Sequence, residues 1–318
     1  MTSSGSAVVP VSLLARLRAQ IGAMRERLGK GSVLFALGLL APATLFVLVI
    51  VAYPLVDTIN LSFTNAGLAK TYRWVGWINY EKIFNSTFAT VILRTFVWTF
   101  FSVSIKMIIG TFGATLLNAA VPGRAVFRLL TMPPWVVPMA IGIFMWGWMY
   151  NGQFGMISGL LQDFGIVDHP VAWLAYGSTA FWATIVTDVW IGVPLVTLYF
   201  LAAMQAIPRD LYEAAWVDGA SRWYRFRRIT VPLIRPAMIT MSMLSLIATF
   251  NSFDIIWILT RGGPTGDTTT MIIDTYKTAI GSYKYGEGAA RAVLICIFLS
   301  LFCFFYFRTV NRLSKETL

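Results

Sequence analysis

The sequence is poor in charge, in cysteine and in histidine. Only 12% of its 318 residues are Asp, Glu, Lys or Arg, against about 25% in an average soluble domain. His169 is the one histidine, and Cys296 and Cys303 are the only cysteines. A lone histidine with no Cys/His cluster excludes the usual zinc sites. The two cysteines fall seven apart on a predicted helix, which separates them by about 10 Å along the axis and excludes a disulfide. A phosphate-binding loop is missing as well. Gly29-Lys30 is followed by Gly31 where Ser or Thr is needed, and the upstream glycine is absent. The scattered carboxylates and His169 make no catalytic constellation. The chain is therefore expected to hold no metal or cofactor, to hydrolyse no ATP by itself, and not to be an enzyme.

Apolar residues dominate instead, at 57%. Several runs reach about 18 residues or more, the length that crosses a bilayer as a helix. The expected fold class is an all-α polytopic membrane protein with about six spans. They are placed at 33–55, 88–117, 129–150, 179–204, 237–260 and 289–307. Pro133, Pro134 and Pro138 predict a kink in the third. One membrane domain, 33–307, is flanked by a basic segment 1–32 and a short tail 308–318. Leu13, Leu17, Ile21, Met24 and Leu28 form a helical stripe among arginines, which suits a membrane surface or a partner subunit.

The net charge of +11 raises the question of a nucleic-acid partner, and the positions of the charges answer it. With both ends inside, sixteen of the 25 Lys and Arg residues fall in the two tails, at Arg124 and Arg128, and between Pro208 and Pro236; six fall outside. That asymmetry predicts N-in and C-in. The charge is mostly a topology signal, and no nucleic acid is expected.

Pro208 to Pro236 is a polar, basic island between two apolar runs. Pro208 and Asp210 suit a helix start, Gly219 a stop, and Ser221 the cap of a second short helix. Pro232 and Pro236 punctuate the return to the membrane. The expectation is helix, sharp turn, helix.

Glu213-Ala214-Ala215, Asp218-Gly219-Ala220, Phe226, Ile229, Pro232 and Pro236 together resemble the EAA loop of bacterial ABC importer permeases. The segment Trp74 to Tyr80, and the series Asn251-Ser252-Phe253-Asp254, Gly262-Gly263-Pro264, Thr268-Thr269 and Tyr285-Gly286, are similar to the carbohydrate branch of that family, of the maltose type with six spans. The resemblance implies a type I importer permease fold. It implies coupling to a cytosolic ABC ATPase dimer, which binds the ATP and Mg, through Glu213, Ala214, Ala215, Asp218, Gly219 and Ala220. It also implies a second homologous permease as heterodimer partner, an extracytoplasmic solute-binding protein, membrane lipid and a small-molecule sugar substrate. Aligned by their landmarks, the third to fifth spans place Trp135, Met139, Asp188, Gly192, Ser245, Thr249 and Ser252 at sugar-contact positions. Asp188 stands where maltose-type members have an amide, and Trp135 where they have a tyrosine.

Polar groups inside spans are costly and face a cavity or a partner helix. Asp188, Asn251 and Asp254 are of this kind. Arg94 and Lys106 either snorkel or pair with a carboxylate; Lys106 has the further reading of an acceptor for an anionic glycoside. A different mechanistic class is also open, a secondary transporter with Asp188 or Asp254 as a proton or ion site, although no internal repeat is seen.

Overall fold

The computed structural model describes residues 30–69, 71–84, 87–119 and 123–316. The basic stripe at 13–28 lies outside them. Regular structure among the described residues is helical, apart from one antiparallel bridge between Thr64 and Trp74.

The chain divides after Thr58. In the first unit, α1 (Lys30–Val47) passes through a π-helical turn at Leu48–Ala52 into α2 (Tyr53–Ser62), which runs on across the division. The Tyr53 N–H reaches back five residues to the Leu48 carbonyl, and Pro54 follows at once. A proline lacks the N–H of the helical ladder and crowds the carbonyl four residues back; a one-residue slip just before it absorbs both defects. The most apolar stretch of this span has no buried residue, which suits a helix whose surroundings are lipid.

The second unit begins with α3 (Ile78–Phe84) and the long α4 (Phe88–Asn118). Then come α5 (Arg124–Thr131), α6 (Pro133–Val136), α7 (Met139–Met149), α8 (Met156–Asp163) and α9 (Gly177–Gln205). After these follow α10 (Arg209–Val217), α11 (Arg222–Arg225), a π turn at Phe226–Thr230, and α12 (Val231–Phe250). The chain closes with α13 (Asp254–Leu259), α14 (Met271–Tyr276), a second π turn at Lys277–Gly281, and α15 (Tyr285–Glu316).

Glycines on α4 let α9 approach closely. A Cβ on Gly110 would overlap Val196 Cγ1, and one on Gly113 would lie 3.1 Å from Thr197 Cγ2. Around this seam, Ala114, Leu117, Val196, Phe200, Met204 and Ile234 form one apolar core. A second core, at the other end of α4, gathers Tyr80, Ile83, Phe88, Val91, Phe250, Met271 and Ile295. The Asn79-Tyr80 pair anchors it to the loop before α3. Asn79 Nδ2 donates to the Ser62 and Thr64 carbonyls at 2.8 and 2.7 Å, and the Tyr80 hydroxyl lies 2.8 Å from Ser62 Oγ.

Five described helical stretches are long and apolar enough to cross a membrane, and a bent pair makes a sixth where its two helices are counted as one span. Three spans differ from the expectation. The third span is not one kinked helix: Ala125–Val136 and Met139–Met149 are bent by 98° about Pro138. The fifth begins earlier and ends earlier than 237–260, because the helix runs unbroken from Arg222 to Phe250. Asn251 is its cap, with its side-chain amide on the Ile247 carbonyl, and Asp254 opens a separate short helix. The helix of the last span continues through the stretch read as a tail, to Glu316.

Candidate functional site

The first group of predicted residues lies on the island. Arg209–Val217 is helical with Asp210 in its first turn. The helix closes by a Schellman pattern, in which Gly219 N–H donates to the Trp216 carbonyl and Ala220 N–H to the Ala215 carbonyl, at 3.0 and 2.9 Å. Gly219 carries φ 76°, a left-handed conformation that only glycine adopts without cost. Ser221 then caps the next helix, its Oγ accepting from Tyr224 N–H at 3.2 Å. The expected second short helix does not stop at the prolines, however. Val231 N–H reaches back to the Phe226 carbonyl, so a π turn again precedes a proline, Pro232, and the helix flows into α12.

One face of α10 is held and the other is free. Tyr212 packs against the core around Ile207, Leu117 and Met204, and its hydroxyl lies 2.9 Å from Thr230 Oγ1. Glu213, Ala214, Asp218 and Gly219 are exposed, with Ala215 and Ala220 half-buried. Leu211, Trp216 and Val217 add exposed apolar surface. Glu213 makes no ion pair among the described residues. The structure therefore brings all six predicted coupling residues onto one helix-and-turn with an open side.

The second group lies within the spans. Lys106 on α4, Asp188 on α9 and Thr249 on α12 meet in the interior, each at most 5% exposed. Lys106 Nζ is 2.7 Å from Asp188 Oδ2 and donates to Thr249 Oγ1 at 2.8 Å. The lysine's aligned hydrogen bond goes to the threonine, and the carboxylate oxygen is held as an ion contact. Gly192, one turn beyond Asp188, makes room for the lysine stem: a Cβ there would stand 2.7 Å from Lys106 Cδ. Ser245 is buried one turn before Thr249. Ser252, just past the helix end, has a buried hydroxyl with no hydrogen-bond partner among the described residues.

Three of the predicted contact positions, Asp188, Gly192 and Thr249, are thus assembled around Lys106. Trp135 and Met139 are exposed on the broken third span, and among the described residues no hydrogen bond, ion pair or ring contact joins them to this cluster. The sequence placed Lys106 in its span but did not connect it to Asp188. The signal was present, since two opposite charges inside spans are far less costly as a pair.

Two more charged residues of the spans are paired near the other end of α4 and α15. Arg94 donates to the Gly266 carbonyl and to Asp267 Oδ1 at 2.8 and 2.7 Å. Arg291 holds Asp274 Oδ2 at 2.6 Å and sits over the Phe88 ring. Gly177 leaves the start of α9 open to the Asp267 carboxylate, which a Cβ would meet. Among the described residues, no group of His, Cys, Asp and Glu is arranged to hold a metal.

The family model for the binding-protein-dependent transport system inner membrane component matches residues 35–317, so this chain belongs to that family and is a multi-pass membrane permease. It is 36% identical over 288 residues to the trehalose/maltose transport system permease protein MalF of Thermococcus litoralis, covering 87% of this chain and 94% of that protein. It is 33% identical over 280 residues to a probable ABC transporter permease protein of Brucella suis biovar 1, covering 87% and 97%. Its fold matches a bacterial ABC transporter involved in the import of the acidic polysaccharide alginate, with a TM-score of 0.78 at 20% identity over 91% of this chain and 99% of that one. The secondary-transporter reading finds no support among these matches.

Proposed function

We propose that this permease forms half of the pathway of an ATP-driven importer for a sugar or sugar derivative, and that the island from Pro208 to Pro236 couples it to a cytosolic ATPase. The observation that carries the coupling assignment is the two-sided α10. Its inner side is fastened to the base of the fifth span through Tyr212 and Thr230, and its outer side presents Glu213 and Trp216 unpartnered. A helix so placed transmits a push from a docked subunit into the span. Such coupling requires that the ATPase bind the two states of the permease with different affinity.

The substrate class rests on the trehalose/maltose permease that is 36% identical to this chain over 288 residues, together with the polar cluster at Asp188, Thr249 and Ser245. Trp135, Met139, Gly192 and Ser252 complete the proposed contact set as the third span moves during transport. The partners are a second, homologous permease, an ATPase dimer that binds ATP and Mg, and an extracytoplasmic binding protein. The charge asymmetry supports a chain with both termini in the cytosol, which puts the island where an ATPase reaches it. The exposed apolar first span faces lipid.

The test is uptake of labelled saccharides into vesicles holding the assembled complex. Uptake that needs internal ATP and the binding protein supports the reading. Uptake driven by a proton gradient alone, with no ATPase present, contradicts it.

A further inference from the structure

We infer that Lys106 is a specificity-determining residue that keeps the pathway neutral by occupying Asp188, so that uncharged glycosides are carried and anionic ones are discriminated against. This rests on the sugar reading above and concerns the same site.

Lys106 and Asp188 are the only charged residues found buried among the described residues. Their side chains are each 7% exposed and 2.7 Å apart. An ammonium has three donors and no acceptor. Here one donor goes to Thr249 Oγ1, the positive charge is spent on Asp188, and the stem fills the groove left by Gly192. An anionic ligand drawn to this ammonium, even through its remaining donor, competes with Asp188 for the one positive charge. Two negative charges then share one cation in a low-dielectric interior, where an uncompensated buried charge is costly. An uncharged sugar has no such conflict: its hydroxyls donate to the carboxylate and accept from the remaining ammonium donor with the pair intact. The reading of Lys106 as an acceptor for an anionic glycoside is therefore disfavoured by the geometry, although the lysine is in the right place for it.

The consequence is a gain of function. Asp188→Asn preserves shape but frees the ammonium, and the site then carries one positive charge that an anionic sugar satisfies. The experiment measures uptake by the full complex in vesicles of uncharged disaccharides and of matching disaccharides that end in a uronic acid. The binding protein's own preference is common to all variants and cancels in the ratio. Relative to wild type, the uronate-to-uncharged ratio is expected to rise at least about tenfold in Asp188→Asn, equivalent to about 1.4 kcal/mol. It is expected to fall back when Lys106→Met is added. Asp188→Ser frees the same ammonium with a smaller side chain and is expected to raise the ratio as well, which gives a reading even if Asp188→Asn assembles poorly. The exchanged pair, Lys106→Asp with Asp188→Lys, stays neutral and is expected to hold the wild-type ratio.

A merely structural pair would change the amount of assembled complex and leave the ratio flat in every variant; that result overturns the proposal. So does a wild-type complex that carries uronates as well as uncharged sugars. A complex that carries some other solute and no saccharide of either kind overturns the sugar reading, and this proposal with it.

Discussion

The Tyr212 hydroxyl lies 2.9 Å from Thr230 Oγ1, joining the exposed α10 helix to the π turn from which the fifth span rises. The ring packs into the core beside Leu117 and Met204. A half-buried hydrogen bond of this kind contributes about 1 kcal/mol. Tyr212→Phe keeps the packing and removes only that bond. The complex should assemble normally and lose about 1 kcal/mol of stability, while sugar carried per ATP hydrolysed falls. Parallel melting curves and uptake-to-hydrolysis ratios check this.

Gly219 separates the two helices of the island with φ 76° and donates its N–H to Trp216. Alanine there should cost about 1 kcal/mol and weaken coupling modestly. Proline adopts φ near −65° and has no N–H, so Gly219→Pro destroys the cap outright. The Gly219→Pro complex should still assemble, hydrolyse ATP and fail to import. Normal transport by that variant would show that the island does not dock as proposed.

Asn79 is 2% exposed and its amide spans two carbonyls, those of Ser62 and Thr64. Asn79→Ala leaves both carbonyls buried without this donor, and an unsatisfied buried group costs about 1–3 kcal/mol. The expected outcome is a lower melting temperature and lower yield with no change in sugar preference. A shift in preference at unchanged stability would place Asn79 in the pathway instead.

The seam between α4 and α9 is closed by Gly110 against Val196. Both helices contribute buried residues to the core at this seam, so neither yields without disturbing several contacts. Overpacking of this kind costs about 1–3 kcal/mol. Gly110→Ala should therefore destabilise the complex, and Gly110→Ala with Val196→Ala should recover part of the loss. Melting temperatures of the two variants decide it.

Much of this was legible in the sequence because it depends on local rules. The lengths of the apolar runs gave the spans, Gly219 the turn and Ser221 the cap, and each stands where its chemistry requires. The continuity of the helix through Pro232 was not legible. A proline normally ends a helix, and nothing in the local sequence shows that a slipped register at Phe226–Thr230 will absorb it. The same device precedes Pro54. Nor did the sequence show that Pro138 turns the chain by 98° instead of kinking it. The partnership of Lys106 with Asp188 was hidden for a different reason. The residues are on separate helices, and their meeting depends on how α4 rotates against α9, which Gly110 and Gly113 set through contacts far apart in sequence. The resemblance to sugar permeases named Asp188 and Gly192, and Lys106 stood out as a charge within a span, but the engagement of the three was seen only in three dimensions.

The most direct test of the coupling account is ATP hydrolysis by the assembled complex in nanodiscs, with the binding protein and a panel of sugars. Stimulation by a sugar is predicted for the wild type. In Glu213→Ala, which removes the exposed carboxylate from the open side of α10, the stimulation is predicted to be lost while the subunits still co-purify. Undiminished stimulation in Glu213→Ala, or a permease that imports sugar with no ATPase bound, would contradict the account.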